Sequence, residues 1–260
     1  MKTSLWKAGL FGALSLASIA PVAHADDEGD WGPFTAGVAV TSDYRFRGIS
    51  SSNRDGAVQG EVQYTHSSGF FANVWASTID FQDQATYDSS VEIDLTAGYT
   101  HNFGENTSAT LKGVYYWYAD ADTPPGATDY DYFEVILGGS HDFGMAAVSA
   151  EVAWSPDYFL ETDDAISVTG GVEVPILDSF AFFDGGLAAS GNIGYQWIDN
   201  NALFGTPDYL YYDLGVTAGW GIFSFDVRWV GTDVSNAQCF AGTDLCEDGV
   251  VLSISAELPG

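Results

Sequence analysis

Val91-Glu92-Ile93-Asp94-Leu95-Thr96-Ala97-Gly98-Tyr99-Thr100 alternates apolar and polar side chains over most of its length. Successive side chains of a strand point to opposite faces, so Val91, Ile93, Leu95 and Tyr99 share one face and Glu92 and Asp94 the other. The first face suits lipid and the second suits water. The same period recurs on both sides of this stretch, near 34–46, 57–66, 70–80, 90–101, 107–118, 130–141, 145–155, 165–175, 186–197, 209–220, 222–231 and 249–258. Most segments have the length a tilted strand needs to cross a bilayer. The predicted fold class is all-β: a transmembrane antiparallel β-barrel of about 12 strands, of outer-membrane type. Ten or fourteen strands fit the same boundaries.

Upstream, Lys2 and Lys7 flank the start of an apolar run from Ala8 to Ala20, and Ala23-His24-Ala25 fits a signal-peptidase site. The expected organisation is a signal peptide over 1–25, a short N-terminal segment over 26–33 and a β-barrel domain over 34–260. The apolar run is too short for a spanning helix, although a retained anchor helix is the alternative. No later stretch holds the roughly 18 uninterrupted apolar residues of a membrane helix. Mean hydropathy is +0.02, as expected where lipid-facing residues are diluted one to one by lumen residues. Aromatic residues make up 15% of the chain and there are 30 Gly, which suits interfacial girdles and close strand packing. A soluble sandwich of this length would also alternate. The export signal, the aromatic content and the loop asymmetry favour the membrane, and with it the outer membrane of a Gram-negative bacterium.

The connections carry that asymmetry. From a periplasmic N-terminus, the even-numbered turns are short: Ser67-Ser68-Gly69, Asn102 to Asn106, Asp142-Phe143-Gly144 and Gly221. The odd ones, near 47–56, 81–89, 119–129, 156–164, 198–208 and 232–248, are longer and acidic. Short periplasmic turns and long external loops are typical of such barrels. The connection 176–185 departs from the rule and reads as a longer periplasmic turn. Tyr64-Thr65-His66-Ser67-Ser68-Gly69, Tyr99-Thr100-His101-Asn102-Phe103-Gly104 and Ser140-His141-Asp142-Phe143-Gly144 form a weak repeat at three of the short turns.

The face opposite the apolar one is polar and mostly acidic. The candidate lumen set is Asp43, Arg45, Arg47, Glu61, Glu92, Asp94, Lys112, Glu134, Glu151, Asp213, Asp226 and Arg228, with the first three on the lumen side of strand one. A Lys or Arg on the lipid face near midplane costs about 2–4 kcal/mol, which forces such groups inward. Strand three is ambiguous, because Phe70, Phe71, Val74 and Trp75 fall on both faces. The chain carries 36 acids against 7 bases, a net charge of −29, and two of those bases lie in the signal. Such a surface repels nucleic acid.

Acids lining a narrow lumen favour cations, because a crossing ion feels fixed charges at short range. The expected activity is therefore a porin-like channel for small solutes or ions with a cation preference. The alternative is a closed barrel, its lumen charges paired with one another, acting structurally or in adhesion through acidic loops. A barrel hydrolase needs a base-activated nucleophile or water. By parity no His of the mature chain faces the lumen, and an acid pair of Asp43 with Asp94 or Glu61 is the only opening. No catalytic residue, cofactor or metal site is expected. His66, His101 and His141 end strands two apart, roughly 10 Å from each other, too far for one ion. Cys239 and Cys246 share one polar loop and are expected to form a disulfide in an oxidising compartment.

Thr41-Ser42-Asp43-Tyr44-Arg45-Phe46-Arg47-Gly48-Ile49-Ser50 resembles the opening signature of the TorF family, the Gcw_chp family, for which a porin role is proposed. Val58-Gln59-Gly60, His66 and Ser68-Gly69-Phe70-Phe71-Ala72-Asn73-Val74-Trp75-Ala76-Ser77 continue the resemblance, and Val250-Val251-Leu252-Ser253-Ile254-Ser255 looks like the family's last strand. The resemblance implies an outer-membrane barrel. The expected partners are outer-membrane lipid, small solutes or ions and the barrel assembly machinery. That machinery usually meets a terminal aromatic residue, and Leu258-Pro259-Gly260 departs from this. Oligomeric state is left open.

Overall fold

The computed structural model describes residues 32–81, 89–119, 121, 128–179 and 183–258. The expected signal peptide, nearly all of the segment 26–33, Pro259 and Gly260 lie outside them. The strands are β1 (Phe34–Thr41), β2 (Arg45–Phe46), β3 (Ile49–Ser50), β4 (Ala57–Thr65), β5 (Phe70–Thr78), β6 (Val91–Asn102), β7 (Thr107–Tyr118), β8 (Tyr132–Asp142), β9 (Ala147–Ser155), β10 (Ala165–Leu177), β11 (Leu187–Ile198), β12 (Tyr209–Trp220), β13 (Phe223–Thr232) and β14 (Gly249–Leu258). Twelve of them close an antiparallel barrel in the order β1-β14-β13-β12-β11-β10-β9-β8-β7-β6-β5-β4. Val38 pairs with Ala256 of the last strand on one side and with Gly60 of β4 on the other. Closure satisfies both edges of every strand, which hydrocarbon demands.

Alternation decides which way each side chain points. Val58, Leu111, Leu137, Leu214, Val250 and Leu252 each keep more than half their surface exposed, and all lie on one outer face. On β5 the ambiguity resolves with Phe70 and Val74 outward and Ser77 buried inside. The outer face is too apolar for water and is continuous round the barrel, as a lipid-facing band requires.

Aromatic side chains mark its two rims. Trp117, Trp154, Trp197 and Trp229 sit near the loop end, and Phe70, Tyr99 and Trp220 near the turn end. On β12, Tyr212 and Trp220 are eight residues apart in sequence. That is about 26 Å of strand, which a tilt of about 40° shortens to roughly 20 Å of depth.

The His residues sit at the turn-end rim. His66 Nδ1 lies 2.6 Å from Ser68 Oγ and His141 Nδ1 2.7 Å from Thr107 Oγ1. His101 and His141 meet Phe103 and Phe143 edge to face, at 4.5 and 4.4 Å between ring centroids. Two of the three copies of the weak sequence repeat are thus His–aromatic packing units, while in the first His66 bonds Ser68 instead.

One boundary is corrected. The alternation over 34–46 reads as a single strand, but β1 ends at Thr41. Residues 42–56 leave the wall, and β2 and β3 form a separate two-stranded hairpin.

Candidate functional site

The hairpin is built from the signature decapeptide and lies inside the barrel. Arg45 pairs with Ser50 and Phe46 with Ile49, leaving Arg47-Gly48 as a two-residue turn. Both turn residues have positive φ, 46° and 84°, as the tightest hairpin turns need. Gly48 is required twice over: a Cβ there would lie 2.6 Å from Thr232 Cγ2 and 2.7 Å from the Gly231 carbonyl oxygen. The tip therefore rests directly on β13. Arg47 has no such freedom, and its left-handed backbone costs roughly 1–2 kcal/mol. The strain persists because the side chain is held firmly.

Its guanidinium donates to both carboxylate oxygens of Glu134 on β8, at 2.8 Å each, and to Gln196 Oε1 on β11 at 2.9 Å. Strands β8 and β11 are separated by β9 and β10, about 14 Å along the wall, so the contact spans a chord of the lumen. Tyr44 donates to Glu92 on β6 at 2.6 Å and packs on Trp75 of β5. Phe46 meets Tyr116 of β7 edge to face. Hairpin contacts thus reach from β5 round to β13.

Short-range bonds hold the hairpin's own shape. Asp43 accepts from Arg45 Nε at 2.6 Å and from Ser50 Oγ at 2.6 Å. Arg45 Nη1 donates to the carbonyls of Gly48, Leu245 and Glu247, and Ser50 N donates to Leu245 O at 2.9 Å. Two of those acceptors belong to the loop between β13 and β14. There Cys239 and Cys246 are disulfide-bonded and buried. Arg54 adds bonds to Asp244 O and Glu247. The last long loop is therefore the anchor of the first.

Above the hairpin the mouth is packed with rings. Phe81, Tyr118, Tyr130 and Phe159 contact one another, and Phe159 also meets Phe204 of the short helix α1 (Asn201–Phe204). Tyr158, from the loop 156–164, packs on Tyr132. Burial pushes its phenol up, so it stays a neutral hydrogen-bonding group.

The wall residues expected in the lumen divide by depth. In the loop half, Glu92, Glu134, Tyr209, Tyr211 and Gln196 are 2% exposed or less. Further toward the turns, Glu61, Asp94, Asn73, Ser190, Asn192, Glu173 and Glu257 are only half-buried. Burial is tightest in the loop half, while toward the turns these half-buried groups alternate with buried ones such as Thr100, Thr110, Asp226 and Ser255.

Several fixed charges in that wall are paired. Arg228 bridges Asp213 and Asp226 and donates to Ser190. Lys112 Nζ lies 3.9 Å from Glu151. Glu61 accepts from Asn73, whereas a buried oxygen of Asp94 has no partner. Acids outnumber bases throughout.

The structure brings Glu92 and Glu134 together with the hairpin, which the sequence does not reveal. It also corrects Asp43, Arg45 and Arg47: they belong to the inserted hairpin and not to strand one. The inward tyrosines Tyr116, Tyr118, Tyr132, Tyr209 and Tyr211 are missed by a polar-lumen reading. Their signal is the run Tyr115-Tyr116-Trp117-Tyr118, where aromatics occupy both parities at once.

Known structures share the architecture. A KdgM porin superposes with a TM-score of 0.55 at 7% identity, over 87% of this chain and 99% of that one. A NanC porin gives 0.56 at 9% identity, over 86% and 100%. At such identities the likeness is one of fold. No curated protein matches the chain in sequence. A family described as "Bacterial protein of unknown function (Gcw_chp)" matches residues 27–258, and the chain belongs to that family.

Proposed function

We propose that this protein is an outer-membrane channel for small solutes, with a preference for cations and a closed state set by its own first loop. One observation carries the reading: beside the inward tyrosines of the wall, the outer lumen holds a separately folded, polar hairpin seated on wall carboxylates. A buried ion pair is a poor source of stability compared with well-packed apolar groups. A barrel needing only to be solid gains little from the bonds between Arg47 and Glu134. A barrel that opens gains a plug held by groups that water and solutes can replace.

The cation preference rests on Glu61, Glu92, Asp94, Glu134, Glu151, Asp213 and Asp226 outnumbering Lys112 and Arg228. One KdgM structure is described as a complex with disordered oligogalacturonate. That ligand is a polyanion, and the acidic lumen here opposes it, so the shared fold does not carry the ligand across. Catalysis finds no support in the acid pairs raised above, since Asp43 is engaged by Arg45, Ser50 and Ser52.

Reversal potentials in planar bilayers test the reading, using protein shown to be folded by heat-modifiable gel mobility. The expected result is cation-selective conductance whose selectivity falls in Asp94→Asn. Folded protein that stays silent, even after Arg47→Ala removes the plug's main anchor, overturns the channel in favour of a structural or adhesive barrel.

A further inference from the structure

The side chains that face the Arg47 guanidinium come from outside the hairpin. Glu134 offers two carboxylate oxygens side by side, Gln196 offers an amide oxygen, and Tyr116 donates to Glu134 at 3.0 Å, fixing its orientation. Tyr158 lies beside the guanidinium. These four side chains are nearly fully buried, and they come from β7, β8, β11 and the loop 156–164. None of them belongs to the first loop. Arg47 fits them imperfectly: its backbone is left-handed and its Nε–H has no partner.

Resting on the channel reading above, we propose that Glu134, Gln196, Tyr116 and Tyr158 form a binding site for solutes bearing a guanidinium group, with Arg47 as its built-in occupant. A carboxylate this deeply buried is strongly disfavoured without a cation. The hairpin therefore leaves most easily when another cation takes over Glu134 as it goes. A neutral solute cannot do this. An ammonium supplies charge but not the two parallel donors that a guanidinium presents to a carboxylate. Arg47 thus acts as an autoinhibitory mimic of the solute that opens the channel.

Entry of radiolabelled L-arginine, L-lysine and L-citrulline into proteoliposomes of the full chain tests this. Citrulline has nearly the shape of arginine without the charge. The expected result is arginine over citrulline by at least about tenfold, the scale of one charge-assisted bond, with lysine between. Glu134→Gln should raise all rates by loosening the plug and bring the ratio toward one. Arg47→Ala should raise all rates and keep the ratio. Equal rates for arginine and citrulline in the unaltered chain, or a ratio that survives Glu134→Gln, overturn the site while leaving the channel standing. If nothing enters with either the unaltered chain or folded Arg47→Ala, the channel reading falls and the site with it.

Discussion

Gly48 and Arg47 show how much rests on single residues. A methyl group at position 48 meets Thr232 and the Gly231 carbonyl at distances that atoms do not tolerate, and the backbone there is left-handed as well. Gly48→Ala should push the hairpin tip off β13, costing about 2 kcal/mol of hairpin seating. The expected readout is a larger open fraction in bilayers with unchanged heat-modifiable mobility, because the substitution lies outside the barrel strands. Tyr44→Phe keeps the ring on Trp75 and deletes only the donor to Glu92. Leaving that buried carboxylate short of a bond costs about 1–3 kcal/mol, to be read as a lower midpoint in urea unfolding.

At this scale the sequence is misleading for a definite reason. Asp43-Tyr44-Arg45-Phe46-Arg47 alternates polar and aromatic residues as a lumen-facing strand would. A hairpin arm has the same period as a barrel strand, so alternation alone cannot tell wall from plug. The Arg47-Gly48 pair, with Gly at the second turn position, is the one local cue to a tight turn.

Among the elements, the barrel strands are legible and the loops are not. Strands such as β7, β12 and β14 match the predicted spans because lipid on one side and lumen on the other impose strict alternation along their whole length. Loops obey no such constraint, so the docking of 42–56 onto the loop 233–248 has no signature beyond two cysteines. That docking makes a prediction. The Cys239–Cys246 bond holds the segment whose Leu245 and Glu247 carbonyls accept Arg45. Closing so short a loop contributes about 2.5 kcal/mol by chain entropy. Cys239→Ser with Cys246→Ser should leave the barrel folded and loosen the first loop, read as faster proteolysis near Asn53-Arg54 from outside the cell. Unchanged protection there would show that the hairpin needs no anchor from the last loop.

For the molecule as a whole, the two lumen halves do different work. The half-buried groups of the inner half are mostly acidic, so in the proposed channel they would concentrate cations before these reach the hairpin. The outer half is dry and closed by Arg47, Tyr44 and the ring cluster. Sequence parity places the acids inside, because charge on the lipid face is too costly. It cannot report that part of the chain returns to cover them, since that depends on contacts nearly ninety or more residues apart, such as Arg47 with Glu134 and with Gln196. The proposed cation selectivity would belong to the summed field of the inner half, so neutralising Glu61 or Asp94 alone should lower it only in part, and both together further.

The central claim is that the hairpin shuts an otherwise open barrel, and single-channel recording of Arg47→Ala beside the unaltered protein meets it most directly. With both proteins shown to be folded, the unaltered chain should open rarely, and the variant should stay open far longer with cation-selective current. Equal open times in the two proteins would contradict the claim.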